Sequence, residues 1–599
     1  MDLSSGEIRT EPLCEDVAWE FLGGRGAGTK YFYDEIDPTV DAFSDSNQFQ
    51  IWTGPLTGTF APTGARWSVT TKSPLTGTIG YANSGGSFGA ELKFAGYDAL
   101  IVEGKSPRPV YLWIENDLVE LRPADQLWGR KTGETDDLLR METHPNMKAA
   151  YIGPAGENKC LMAAVMNDKE RAAGRNGVGA VMGDKKLKAI AVRGTRQFGL
   201  ADIAGFRKAV RDAMFILKSD ETTGDALTRY GTAGSIPLIN ASGLFPTRNF
   251  QTGVMPTAPA LGGEAIAEKV LVRNKGCFAC SIACGRDAKI RDGKYAGASG
   301  RGPEYQGSGS LGGATGVDDL NTVTMANFLC NELGLDPISA GATIACAMEM
   351  VEKGWLSGPD ATVAFDGDEH PLEFGSGDAL IGAIHSIAYR RGIGDELANG
   401  SYRFAERRGH PEISMTVKKQ ELPAYDPRGA KGMALTYGTS PRGACHLKSY
   451  TVDPEILRAV IDPLTEEGKA LLAKTMQDTT AVVDSTGLCL FTTSAMAVDD
   501  YPPLINTAIG GGMSSDDMLL IGERIFNLER LFNNEAGFTA DDDAIPARLT
   551  DEPMPEGPAK GHVVDYNPML SEYYRLRGWD SQGRPTNETM KRLGINQSS

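Results

Sequence analysis

Cys277-Phe278-Ala279-Cys280-Ser281-Ile282-Ala283-Cys284 places three thiols within eight residues. No other feature limits the fold as tightly, because the three sulfurs must converge and a further group must close the site. Nine cysteines spread over 599 residues is the wrong usage for a disulfide framework. Thiolates are soft ligands that suit zinc or iron–sulfur centres. A structural zinc ordinarily shows two separated ligand pairs, and a radical S-adenosylmethionine enzyme shows the opposite order, CxxxCxxC. The spacing therefore points to an inorganic cluster gripped at three corners, with its fourth ligand from elsewhere. Gly276, Ala279, Ala283 and Gly285 leave room for it. The bland alternative is a partly occupied zinc site or buried structural cysteines.

Formal net charge is −18, which argues against a nucleic-acid or anionic-membrane surface. No apolar run is long enough to span a bilayer. Met1-Asp2-Leu3-Ser4-Ser5-Gly6-Glu7 has neither the basic nor the apolar region of a signal peptide. A cytoplasmic protein is the expectation. Glycine is in excess, 72 of 599, with no collagen-like period, so the surplus belongs to turns and to places where backbone approaches a ligand.

The expected fold class is α+β, a β-rich N-terminal base covered by two mainly α-helical domains. Residues 1–199 carry short apolar runs, Gln50–Thr53, Ala99–Glu103, Val110–Ile114 and Ala189–Val192, bounded by Gly, Pro or charges. From Ile203 the period becomes helical, and helices are predicted over Thr324–Leu333, Ile338–Lys353, Ala379–Arg391 and Asp517–Asn533, the last capped from Ser514. Domains are placed at 1–199, 200–405 and 406–599. Asn331-Glu332-Leu333-Gly334-Leu335-Asp336 echoes Asp484-Ser485-Thr486-Gly487-Leu488-Cys489. The glycines of both copies suit helix C-caps.

Three glycine loops stand out. Gly23-Gly24-Arg25-Gly26-Ala27-Gly28 is a poor dinucleotide fingerprint, since no strong strand precedes it. Asn83-Ser84-Gly85-Gly86-Ser87-Phe88-Gly89-Ala90-Glu91-Leu92 opens a helix whose free N–H groups can hold phosphate. In Arg171–Gly183 two arginines, Arg171 and Arg175, meet a flexible backbone, which suits an anionic planar ligand. Any one of these is equally readable as a plain turn.

With the cysteine cluster, these loops bring the chain to a known family. It resembles the tungsten-dependent aldehyde:ferredoxin oxidoreductases over nearly its whole length. The likeness is carried by Gly54-Pro55-Leu56-Thr57-Gly58-Thr59, Ala65-Arg66-Trp67-Ser68, Lys72–Gly77, the last two glycine loops, CxxCxxxC, Gly302-Pro303-Glu304-Tyr305, Arg442-Gly443-Ala444-Cys445-His446-Leu447, the Asp484 motif and Tyr573–Asp580.

The resemblance implies tungsten, or in some members molybdenum, held by two pterins beside a [4Fe–4S] cluster. The cluster ligands would be Cys277, Cys280, Cys284 and Cys489. Arg66, Asn83, Gly85, Arg171, Ala172, Gly174 and Arg175 would hold the pterins and their phosphates, with Asn83 and Ala172 around a bridging magnesium. Arg442 and Lys448 would contact the phosphate end. The paired motifs, Asn331, Leu335 and Asp336 in one and Asp484, Leu488 and Leu490 in the other, would orient the pterin rings. A carboxylate accepts two parallel N–H bonds from an aminopyrimidine edge. Asp484 fits that role, whereas Asn331 departs from the usual Asp, so the first copy is expected either to bind more weakly or to rely on Asp336.

Glu304 is assigned as base, with a pKa raised by a dry cavity, and His446 as donor to the carbonyl oxygen. Without the resemblance both would pass for ordinary residues. The implied reaction is aldehyde oxidation with water to a carboxylate, electrons leaving to ferredoxin or an iron–sulfur subunit. The expected assembly is a homodimer or hetero-oligomer. Rival readings are the tungsten subunit of a benzoyl-CoA reductase and a non-catalytic iron–sulfur relay. Family members usually carry another short strand before the segment matching Asp2-Leu3-Ser4.

Overall fold

The computed structural model describes residues 1–595. Its N-terminal part holds two sheets. One has the order β3-β2-β1-β4, with β1 Phe49–Thr53, β2 Trp67–Lys72, β3 Ile79–Ser84 and β4 Ala99–Val102, all antiparallel. The other has the order β6-β5-β10-β7-β8-β9. Its strands are β5 Val110–Glu115, β6 Leu118–Pro123, β7 Lys148–Tyr151, β8 Val165–Asn167, β9 Arg171–Ala173 and β10 Leu187–Arg193. Only the β10–β5 pair is parallel. Residues of β1 and β2 are buried throughout, which is why these strands read as unbroken runs rather than as alternation. The sheets meet where Ser84 Oγ donates to Asn167 Oδ1 at 2.7 Å and Asn167 Nδ2 donates to the Gly85 carbonyl at 2.9 Å.

Each sheet receives the end of one long helix. Helix Lys469–Thr486 ends on Gly487 at φ +92°, and helix Leu320–Leu333 ends on Gly334 at φ +75°, the left-handed conformation that closes a helix cheaply only at glycine. β1 runs into Gly54-Pro55, and a Cβ on Gly54 would lie 2.2 Å from the Thr486 carbonyl carbon. Beyond β7, a Cβ on Gly153 would lie 2.4 Å from the Leu333 oxygen. Leu56 N–H donates to the Thr486 carbonyl and Ala164 N–H to the Gly334 carbonyl, each at 2.9 Å. The sequence echo is thus a structural repeat, two strand-turn cradles each seating one helix end.

The predicted helices form as Leu320–Leu333, Pro337–Glu352, Gly377–Tyr389 and Ser515–Glu535. The third stops earlier than expected because Arg390 is left-handed at φ +49°. The first glycine cluster is not a loop: it begins helix Gly24–Glu35. At the N-terminus Leu3 N–H donates to the Glu103 carbonyl at 2.9 Å, so the first residues run beside β4. Among the described residues, no helix is long and apolar enough to cross a membrane.

Candidate functional site

The three clustered cysteines occupy the connection between β11 Leu271–Lys275 and β12 Gly285–Lys289. Ala279 and Ala283, each just before a cysteine, are left-handed at φ +51° and +48°, a conformation costing a non-glycine residue about 1–2 kcal/mol. Contacts to the base hold the loop in that shape. Phe278 N–H donates to the Gly86 carbonyl at 2.9 Å, and the Ala279 carbonyl accepts from Thr63 N–H at 3.0 Å. Thr63 also ties in the fourth cysteine, its Oγ1 accepting the Cys489 N–H at 3.1 Å.

Cys277, Cys280, Cys284 and Cys489 line one hollow of about 320 Å³, walled further by Arg66, Arg171, Ile282 and Phe491. Arg66 Nη2 donates to Cys489 Sγ at 2.8 Å. A Cβ on Gly85 would stand 2.7 Å from Cys277 Sγ, so glycine there makes space for the thiol. Among the described residues no three His, Cys, Asp or Glu side chains close on a point that could hold a single ion. The four sulfurs line one space, which would accommodate a bulky cluster. Burial pushes the Cys284 thiol up to about 12, Glu304 adding to the rise and Arg171 opposing it. The Cys280 thiol is raised for the same first reason. Metal binding here must therefore expel protons.

A polar chain leads away from this hollow. Arg66 Nη1 donates to Asn83 Oδ1 at 3.2 Å, and Asn83 Nδ2 donates to Asp484 Oδ1 at 3.0 Å. The other oxygen of Asp484 lies 3.6 Å from Arg25 Nη1, and Arg25 forms a two-pronged pair with Glu529 at 2.7 Å on both arms. Arg25, buried completely, and Glu529 were not among the predicted site residues. Their partnership spans the chain and leaves no local pattern.

Around Tyr81 three cations gather. The Arg25 guanidinium lies 5.5 Å from the ring centroid, that of Arg442 lies 5.7 Å away and Lys448 Nζ 4.2 Å. Arg442 donates to the Tyr81 carbonyl and, at 2.8 Å, to Cys445 Sγ. Lys448 Nζ, Arg442 Nε and Arg25 Nη1 are buried and have no hydrogen-bond partner. Orphaned cationic donors are where an anionic group fits.

Lys448 is driven down to about 7, by burial first and then by Arg25. The folded chain therefore releases a proton that the unfolded chain keeps. Stability should rise as pH climbs from about 7 toward the ordinary lysine value and lie flat at its minimum below 7. Lys448→Met should raise the melting temperature of cofactor-free protein by about 1–2 °C near neutral pH, less at alkaline pH, and weaken cofactor retention. Differential scanning calorimetry across pH checks the sign.

Two predicted residues prove to be already engaged. Arg175 Nε donates to Asp336 Oδ2 at 3.2 Å, Nη1 to the Ala444 carbonyl and Nη2 to the Glu421 carbonyl, both at 2.6 Å. It braces the segment carrying His446 rather than presenting free donors. Asp336 also accepts the Ile338 and Ser339 N–H groups as the N-cap of helix Pro337–Glu352. The helix cap and Arg175 thus share the carboxylate that the first motif would offer to a pterin.

Asn331 gives its carbonyl to Thr132 Oγ1 at 2.9 Å. Leu335 and Leu488 are buried just beyond the two capping glycines, and Leu490 begins a short 3-10 turn. Ala172 sits in β9 opposite Met166, and a Cβ on Gly174 would meet nothing closer than 3.9 Å, so that glycine borders open space. Arg171 donates to the Lys275 carbonyl at 3.5 Å and lines the thiol hollow.

Glu304 precedes a helical turn and leaves 49% of its side chain uncovered. Burial raises its pKa, but Arg301, at 2.5 Å, and Arg171 outweigh that and hold it below the ordinary carboxylate value. The expected upward shift is thus reversed. Arg301, three residues earlier, is the residue the expectation missed.

His446 is driven well below its ordinary pKa by burial, then by Arg175 and Arg442, so its imidazole is neutral. Its Nδ1 is buried without a partner. Aromatic rings link the two residues: Tyr305, next to Glu304, stacks on Tyr425 at 4.6 Å, whose ring lies 5.9 Å from that of His446.

Thiols around a hollow, a buried cationic cradle and two groups fit for proton transfer define an oxidoreductase. The chain belongs to the aldehyde ferredoxin oxidoreductase family: the model of its N-terminal domain matches residues 1–194 and that of its domains 2 and 3 matches residues 208–595. It is 50% identical to the tungsten-containing aldehyde ferredoxin oxidoreductase of Pyrococcus furiosus over 99% of this chain and 98% of the relative. The same identity and coverage relate it to the enzyme of that description from Thermococcus kodakarensis. Among solved structures it resembles the active-site complex BamBC of benzoyl coenzyme A reductase in complex with 1,5-dienoyl-CoA, with TM-score 0.84, 25% identity, and coverage of 99% of this chain and 96% of that one.

Proposed function

We propose that this protein oxidises aldehydes with water to carboxylates, exporting two electrons through a [4Fe–4S] cluster on Cys277, Cys280, Cys284 and Cys489 to a ferredoxin-type carrier. In this reading aldehyde and water become carboxylate, three protons and two electrons. The observation that carries it is 50% identity to tungsten-containing aldehyde ferredoxin oxidoreductases over nearly the whole chain, with Glu304 and His446 linked through the Tyr305–Tyr425 stack. Glu304, held as carboxylate, takes a proton from the attacking water. His446, neutral and with a ring nitrogen unspoken for, donates to the carbonyl oxygen as charge develops there.

The buried donors of Lys448, Arg442 and Arg25 suit pterin phosphate, and Asp484 with Asn83 suits an aminopyrimidine edge. Arg66, Gly85, Arg171, Ala172 and Gly174 would border the same group, with Arg175 behind them, and Asn331, Leu335, Leu488 and Leu490 at the helix ends. A bridging magnesium would lie at Asn83 and Ala172. When bound, tungsten between two pterins supplies the two-electron acceptor that no side chain offers.

The likeness to a benzoyl coenzyme A reductase complex is a likeness of fold at half the identity shared with the aldehyde enzymes. Anaerobic assays distinguish the two. Dye-linked oxidation of small aldehydes is expected, with no turnover of aromatic CoA thioesters; the reverse pattern refutes the reading.

A further inference from the structure

A chain of formal net charge −18 repels an acidic partner unless it offers a local patch of opposite sign. Helix Ile203–Ser219 offers one. It buries Phe206, Ala209, Ala213 and Leu217, and to solvent it exposes Arg207, Lys208, Arg211 and Lys218 against the single carboxylate Asp212. Asp212 is taken by Lys208 at 2.8 Å. At the helix ends Asp202 caps the Ala204 and Gly205 N–H groups, and Asp220 accepts the Thr223 N–H and faces Arg458 at 3.5 Å. Arg207, Arg211 and Lys218 recur at spacings of four and seven, so they form one stripe opposite the buried face. Phe215 stands beside them, 74% exposed. A large bare aromatic amid unpaired cations is unusual on a free surface and common at the centre of an interface.

The buried face of the same helix points toward a loop that borders the four-thiol hollow, and the stripe lies on the opposite, outer face. Phe206 meets Phe60 edge-on at 4.8 Å, and the loop bearing Phe60 continues to Thr63, which binds both Cys489 and Ala279. The buried side of the helix belongs to the same hydrophobic core as Leu488, and Leu490 packs on that core.

We propose that this face, Arg207, Arg211 and Lys218 around Phe215, is the docking surface for an acidic one-electron carrier protein. The assignment rests on the electron-export reading above. It gives the carrier a site whose charge complements its own, on the outer face of a helix whose inner face packs on the loop that reaches Cys489.

The test uses anaerobically prepared, cofactor-loaded enzyme and a purified acidic ferredoxin at about 0.05 M salt, where screening is weak. Arg207→Glu/Arg211→Glu/Lys218→Glu should raise KM for that ferredoxin about tenfold or more and flatten its salt dependence, while viologen-linked aldehyde oxidation stays at the wild-type rate. Calorimetric titration of the same ferredoxin, with no aldehyde present, should show the same loss of affinity. Absent viologen activity in the wild type counts against the catalytic reading, and the titration still decides docking. Unchanged KM and affinity overturn the proposal. So does an equal loss when exposed Arg407, Lys419 and Lys591 are reversed instead, since that assigns the effect to net charge. A change only in the enzyme's own sedimentation, with ferredoxin affinity intact, marks the face as a contact between two copies and overturns it too.

Discussion

Glu304→Gln should lower kcat for aldehyde oxidation about 10²- to 10⁴-fold, the range a positioned base contributes, while metal content and cluster signal stay at wild-type levels. Glutamine keeps the shape and can still accept from Arg301, so what it removes is the charge that takes the proton. The pH profile makes the prediction sharper. Arg301 and Arg171 hold Glu304 below the ordinary carboxylate value, so the base is present through neutral pH and is lost only as pH falls through that depressed pKa. Arg301→Gln removes the nearer cation, and the acidic limb of kcat should then move to higher pH. Stopped-assay kinetics over pH, on protein whose metals have been counted, provide the measurement. Activity close to wild type in Glu304→Gln takes Glu304 out of the mechanism.

Cys489→Ala should be as severe for a different reason. It deletes one of four thiols around the hollow and the acceptor of Arg66 Nη2. Arg66 then loses its nearest sulfur acceptor, and its bond to Asn83 is the first link toward Asp484. Iron should fall from about four per chain to three or fewer, and dye-linked turnover should drop at least about a hundredfold, since electrons would lose their exit. Cys346→Ala is the control. Cys346 is equally buried but lies in the middle of helix Pro337–Glu352, away from the hollow, so its loss makes a small cavity and leaves the iron alone. If both variants keep their iron, Cys489 is not a cluster ligand.

The β-rich base and its helical cover were legible because strands buried on both faces and amphipathic helices announce themselves by period. Three of the four converging thiols were legible from spacing alone. Cys489 was not; resemblance pointed to it, and in the structure Thr63 and Arg66 bring it in. Helix Gly24–Glu35 escaped because Gly24, Gly26 and Gly28 are poor helix formers. Packing explains them: a Cβ on Gly26 would lie 2.1 Å from the Phe21 carbonyl oxygen, and one on Gly28 2.6 Å from Thr70 Oγ1. The direction of the Glu304 pKa shift was misread for a related reason. Burial can be guessed from a motif, but Arg171 reaches it from another strand. Arg25–Glu529 was invisible, because two residues 504 positions apart share no local pattern.

Metal analysis of the protein purified without oxygen, read together with the electron paramagnetic resonance spectrum of the reduced form, tests the convergence of the four thiols on one cluster. About four iron atoms and about one tungsten per chain, with a [4Fe–4S] signal, is the predicted result. One zinc per chain with no iron contradicts it.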